Sequence, residues 1–155
     1  MKLIQLNNIQ FEDIDILKVN PESPRIFGRL YSSIENGFPS PAEDFEGEHL
    51  SLDERYLSKP ESTYFAKAKG ISNFPTIHEG DILIIRADLP VNDGDLAVVS
   101  FNNAKFTTKR LDTKNKRFIP DNTTFPEITV SDEDTVIVMG KVFAIIREDL
   151  TKKIF

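Results

Sequence analysis

The sequence contains no cysteine, and that single absence removes disulfides, thiolate metal sites and cysteine nucleophiles together. A cysteine-free chain suits a reducing compartment, so a cytoplasmic location is expected. No apolar run approaches the ~20 residues a membrane-spanning helix needs, and the N-terminus lacks the apolar core of a signal peptide. Positive charge is not in excess either. The 19 lysines and arginines are outnumbered by 25 aspartates and glutamates, giving a net charge of −6. A protein that tracks phosphates presents a basic face, so strong direct nucleic-acid binding is not expected. There is no internal repeat, no low-complexity tract and no helix-turn-helix pattern. His49 and His78 have no useful spacing to each other or to a carboxylate motif. Asp132, Glu133 and Asp134 crowd one loop without the ligand spacing of a calcium site. No metal or organic cofactor is implied.

What is present suits one domain of ordinary soluble composition, 39% hydrophobic and 28% charged, with an arm beside it. From Met1 to Asn36 short apolar clusters (Leu3, Ile4, Leu6; Ile14, Ile16, Leu17, Val19) alternate with turn formers, and Pro21 and Pro24 interrupt them. This reads as an extended arm with strand-like pieces. Gly37-Phe38-Pro39-Ser40-Pro41-Ala42 follows, too rich in proline for a central strand and suited to accessible, extended backbone. Leu50 to Leu57 reads as a short helix, with Ser51 as N-cap and Glu54 three residues on.

Strand patterns then dominate: Thr63–Ala68, Asp81–Ile85, Asp95–Phe101, Lys105–Leu111, Arg117–Ile119 and Thr135–Ile146. The continuously apolar Ile82-Leu83-Ile84-Ile85 suits a strand covered on both faces. Glu79-Gly80-Asp81, Asn92-Asp93-Gly94-Asp95 and Asn102-Asn103 supply turn chemistry between strands. The fold class is mainly β, a sandwich or partly closed barrel of short strands.

Taken singly, the chemical residues look ordinary. Ser72 is a turn serine, Lys109 a lysine in a cationic strand beside Lys105 and Arg110, and Asn36-Gly37 a hairpin signal. Their joint occurrence is what carries information. Glu35-Asn36-Gly37-Phe38-Pro39-Ser40-Pro41-Ala42 resembles the cleavage segment of UmuD-type proteins, the LexA-like self-cleaving serine–lysine peptidases. Thr63 to Ser72 resembles the strand and turn carrying that family's nucleophile, and Glu79 to Ile84 the strand that follows. Phe106-Thr107-Thr108-Lys109-Arg110-Leu111 resembles the strand supplying its lysine, and Ile119-Pro120, Asn122 and Ile128 to Val142 its C-terminal strands. Three positions depart from the family pattern: Ile71 and Asn73 stand where aspartate and methionine are usual, and Asn36 where cysteine or alanine is usual.

The resemblance implies a removable arm over residues 1–36 and a peptidase-fold domain over 37–155. It implies a cut between Asn36 and Gly37, with Ser72 as nucleophile and Lys109 as general base. It also implies a homodimer, promotion of cleavage by a recombinase filament on single-stranded DNA, and partnership with a Y-family translesion polymerase. The chemistry needs a neutral lysine, which burial among apolar groups favours. Strand alternation points Lys109 inward if Arg110 is solvated. Two alternatives stand beside this reading: a catalytically inactive binding module of the same fold, and a fragment of a LexA-type repressor.

Overall fold

The computed structural model describes residues 13–17, 27–29 and 49–148, which fall into two compact units. Strand β1 (Ile14–Leu17) belongs to the larger; in the smaller, β2 (Phe27–Arg29) pairs antiparallel with β3 (His49–Ser51), matching Gly28 with Leu50. The single-turn helix α1 (Leu52–Tyr56) starts at once, because the Ser51 side chain accepts the Glu54 N–H at 3.3 Å. The capping pair read from sequence is therefore in place. The helix is shorter than expected because its first two residues close a strand.

The larger unit is an eight-stranded antiparallel sheet. Its strands are β1 (Ile14–Leu17), β4 (Thr63–Ala68), β5 (Ile82–Arg86), β6 (Leu96–Phe101), β7 (Thr107–Asp112), β8 (Arg117–Ile119), β9 (Ile128–Thr129) and β10 (Val136–Ile146). The spatial order is β1-β4-β5-β10-β6-β7-β8-β9. The mainly β class expected from sequence is what the chain adopts; the six strands expected from Thr63 onward fall within two residues of their bounds, and the two-residue β9 was not among them.

Alternation along β6 explains why the sheet is covered on both sides. Leu96 and Val98 join Ile14, Ala66, Leu83, Ile85 and Met139 in one core, whereas Ala97 and Val99 join Leu111 and Phe118 in a second. The Ile82–Ile85 run behaves likewise, with Leu83 and Ile85 in the first core and Ile84 buried at 2% exposure.

The turns follow the chemistry read from sequence. Gly80 and Gly94 take positive φ, and Asp81 and Asp95 accept the N–H groups of His78 and Asn92. Asn102 and Asn103 are both left-handed and join β6 to the run leading into β7.

β10 is the longest strand and serves two neighbours. Its first half pairs with β6 and its second with β5, and Lys141 is matched to both Ala97 and Arg86. The ladder shifts register between Val138 and Gly140 and again between Val142 and Ala144. At this crossing only glycine fits, since a Cβ on Gly140 would lie 2.9 Å from the Arg86 carbonyl oxygen and from Ile85 Cγ2.

Candidate active site

Ser72 lies where β4 has run out. Residues 71–77 form consecutive turns, closed by the Phe74 N–H on the Ile71 carbonyl at 3.1 Å and the Ile77 N–H on the Asn73 carbonyl at 2.9 Å. The loop after β8 clamps them. The Asn122 backbone N–H donates to the Ser72 carbonyl at 3.0 Å, and its side-chain amide donates to the Ile71 carbonyl at 2.9 Å. Thr76 Oγ1 donates to Asp121 Oδ2 at 2.6 Å from the far end of the turn.

Asn73 fastens this turn to β7. Its Nδ2 donates to the Thr108 carbonyl at 2.7 Å, and its Oδ1 accepts the Asp121 N–H at 3.2 Å. Both hydrogen-bonding ends of a side chain only 3% exposed are thereby satisfied. The serine turn and the lysine strand are in direct contact through one amide. Sequence reading noticed Asn73 only as a departure from a pattern. The structure makes it a bracket.

Lys109 is buried, 8% exposed, and Ser72 is 9% exposed. Lys109 Nζ donates to Thr107 Oγ1 at 2.9 Å and to the Thr108 carbonyl at 3.2 Å. Between the two expected catalytic side chains stands a residue that sequence reading did not single out. Asp13 Oδ2 accepts from Ser72 Oγ at 3.3 Å, from Thr107 Oγ1 at 3.1 Å and from the Thr108 N–H at 3.3 Å. A continuous chain of hydrogen bonds thus runs from the Ser72 hydroxyl through Asp13 and Thr107 to the Lys109 amine. Nothing in the local sequence around Asp13 signals this, because the contact spans 59 residues.

Arg110 corrects an expectation. It is not simply solvated: its side chain is one-third exposed and forms a two-pronged ion pair with Asp121, Nε to Oδ1 at 2.7 Å and Nη2 to Oδ2 at 2.6 Å. The Arg110 guanidinium holds the Asp121 carboxyl below the usual carboxylate range, against burial, with help from Thr76. Asp121 is therefore a fixed anion that anchors the loop gripping the serine turn. Alternation along β7 does set Lys109 opposite Thr108 and Arg110, and Arg110 stays partly exposed while its guanidinium is held by Asp121.

Asn36 and Gly37, with the proline-rich stretch after them, lie outside the described residues. Among the described residues, no group of three or more histidine, aspartate or glutamate side chains is placed to hold a metal ion. Nor is any helix there long and apolar enough to cross a membrane.

Residues 29–143 match the family model described as Peptidase S24-like. The chain belongs to the S24-like peptidase family. Within it the sequence is of the UmuD type. It is 35% identical to Protein MucA of Escherichia coli over 112 residues, covering 70% of this chain and 76% of that protein. Protein ImpA of Shigella flexneri is 31% identical over 112 residues, covering 71% and 76%. Protein SamA of Salmonella typhimurium is 35% identical over 95 residues, covering 59% and 66%. The S24-like match spans Asn36, Gly37, Ser72 and Lys109 but begins after Asp13. Family resemblance therefore had no means of revealing the aspartate that touches the serine.

Proposed function

We propose that this S24-like protein cuts its own chain between Asn36 and Gly37 and then serves as an accessory subunit in error-prone, SOS-induced DNA synthesis. The observation that supports this most is the convergence of a buried serine and a buried lysine on adjoining elements within one hydrogen-bond network.

In the reaction Ser72 Oγ attacks the Asn36 carbonyl carbon while Lys109, as the neutral amine, takes the hydroxyl proton. Backbone N–H groups flanking Ser72 stabilise the developing oxyanion. The C–N bond breaks, Lys109 returns the proton to the Gly37 amine, and water then hydrolyses the ester to leave an Asn36 carboxylate. Gly37 has no Cβ to obstruct approach on the leaving side. Residues 1–36 are the arm released and 37–155 the product domain, cytoplasmic and dimeric, which partners a Y-family polymerase. A recombinase filament on single-stranded DNA promotes the cut.

Intact-mass measurement of purified protein tests the chemistry. The expected product begins Gly37-Phe38-Pro39, and Ser72→Ala and Lys109→Ala each abolish it while leaving the protein folded. Wild-type-like scission in either variant refutes the mechanism. Asn-Gly deamidation changes mass without breaking the chain, so only fragments count.

A second reading is an inactive binding module of the same fold. It is favoured by the Ser72 hydroxyl donating to Asp13, an arrangement that leaves the nucleophile occupied. A folded wild type that binds a polymerase but never fragments supports this reading over the first.

A further inference from the structure

We infer that Asp13 is a built-in inhibitory residue of the catalytic centre, and that β1 must leave the edge of the sheet before Ser72 can react. The inference rests on the self-cleaving reading of the site and supplies its regulation.

Three observations place Asp13 as an occupant of the reaction space. First, the Ser72 hydroxyl donates to Asp13 Oδ2, so its proton is committed to a carboxylate rather than to a lysine. Second, Thr107 Oγ1 donates to the same oxygen while accepting from Lys109 Nζ, which ties the expected base to an anion through a single hydroxyl. Third, Asp13 and Ser72 face a recess of only about 10 Å³ that Gly70, Asn73 and Thr108 also line and that the core side chains Ile14, Ala68, Ile77 and Leu83 close. That is the room of one water molecule. No peptide fits in that recess while Asp13 is seated.

The aspartate is aimed by the strand behind it. β1 pairs antiparallel with β4 over four residues, Ile14 with Ala68 through Leu17 with Phe65. The Lys69 N–H donates to the Asp13 carbonyl at 2.7 Å, and Ile14 is sunk in the core at 1% exposure. Gly70 admits the close approach, since even a methyl group there would come within 3.3 Å of Asp13 Cβ.

The same geometry makes the seat releasable. β1 is short and lies at the sheet edge. Asp13 Oδ1 is buried with no hydrogen-bond partner among the described residues, a penalty relieved when the carboxylate returns to water. Removing the carboxylate therefore frees the nucleophile without dismantling the sheet.

The test uses the full chain in wild-type form and with Asp13→Ala, each prepared both with Ser72 intact and with Ser72→Ala. Fragmentation is followed by intact mass, and Ser72 reactivity by labelling with a fluorophosphonate, a serine-directed phosphonylating probe. Asp13→Ala is expected to raise both rates roughly ten- to a hundredfold, the equivalent of releasing one charged hydrogen bond. Both signals should vanish with Ser72→Ala.

A clamp gives the reverse perturbation. Asp15 is paired with Lys67, and the chain has no other cysteines, so Asp15→Cys with Lys67→Cys allows only one disulfide within a chain. The oxidised clamp is expected to block fragmentation and labelling, and thiol reductant to restore both. Equal rates in wild type and a folded Asp13→Ala protein, or an oxidised clamp that reacts like wild type, overturn the inference and leave self-cleavage standing. Raised labelling in Asp13→Ala without fragmentation keeps Asp13 as the inhibitor and removes self-cleavage. Absence of both signals in every folded form overturns both.

Discussion

Truncating Asn73 to alanine tests how the serine turn is fixed to the lysine strand. The substitution removes two strong hydrogen bonds, to the Thr108 carbonyl at 2.7 Å and from the Asp121 N–H at 3.2 Å, and a long contact from Nδ2 to Ser72 Oγ at 3.5 Å. Each of the two strong bonds contributes about 1 kcal/mol net, and an Asp121 N–H left without an acceptor adds about 1–2 kcal/mol. The expected loss is therefore about 3–4 kcal/mol, or a fall in Tm of roughly 6–16 °C for a chain of this size. Urea unfolding should show a lower midpoint with an unchanged slope.

Asn73→Asp separates hydrogen bonding from packing. It keeps the volume but turns the Thr108-facing donor into an oxygen 2.7 Å from a carbonyl oxygen, so it should destabilise at least as much as alanine. Self-cleavage, measured at a temperature where both variants stay folded, should slow beyond about tenfold because the turn is no longer pinned to β7. A stability change under about 0.5 kcal/mol in both variants refutes the bracket role.

Two further predictions concern the scaffold. The Asp81 carboxyl is buried, which by itself raises its pKa, yet its bonds from Arg147 and the His78 N–H bring it below the ordinary 3.8. A depressed folded value means that its stabilisation is present above the ordinary value and is lost as pH falls through the folded one. Thermal unfolding of wild type should thus weaken more steeply below pH ~4 than that of Asp81→Asn, and parallel curves would dismiss the contribution. Gly140→Ala forces a methyl group to within 2.9 Å of the Arg86 carbonyl oxygen and should cost about 1–3 kcal/mol in chemical denaturation, whereas a neutral result would mean the crossing of β10 yields easily.

Much of the sheet was legible because its strands are short apolar runs punctuated by strong turns. Thr63–Ala68 and Arg117–Ile119 were located to the residue, since a proline-bearing turn or an aspartate- and lysine-rich loop bounds each. The helix start was legible because Ser51 and Glu54 form a local signal. The site was less so. Ser72 and Lys109 were reached through motif order, whereas Asp13 and Asp121 act through partners remote in the chain and carry no local pattern. Alternation gives the inward Lys109 and a partly exposed Arg110, but not the Asp121 carboxylate that Arg110 grips. In a sheet covered on both sides, the outward position can be taken by a loop carboxylate instead of water.

The position of β10 sets a schedule for the molecule. Among the described strands, the half that leads into Ser72 (β1-β4-β5) and the half that holds Lys109 (β6-β7-β8-β9) are joined edge to edge by this strand alone. Residues 136–146 are synthesised after both halves. Translation adds residues at roughly 5–20 per second, so for seconds the nascent chain holds the serine strand and the lysine strand without the piece that splices them. Closing that gap requires pairings distant in sequence, which form slowly. The sheet that carries Ser72 and Lys109 is thus completed late, when its longest strand is inserted between two halves already made.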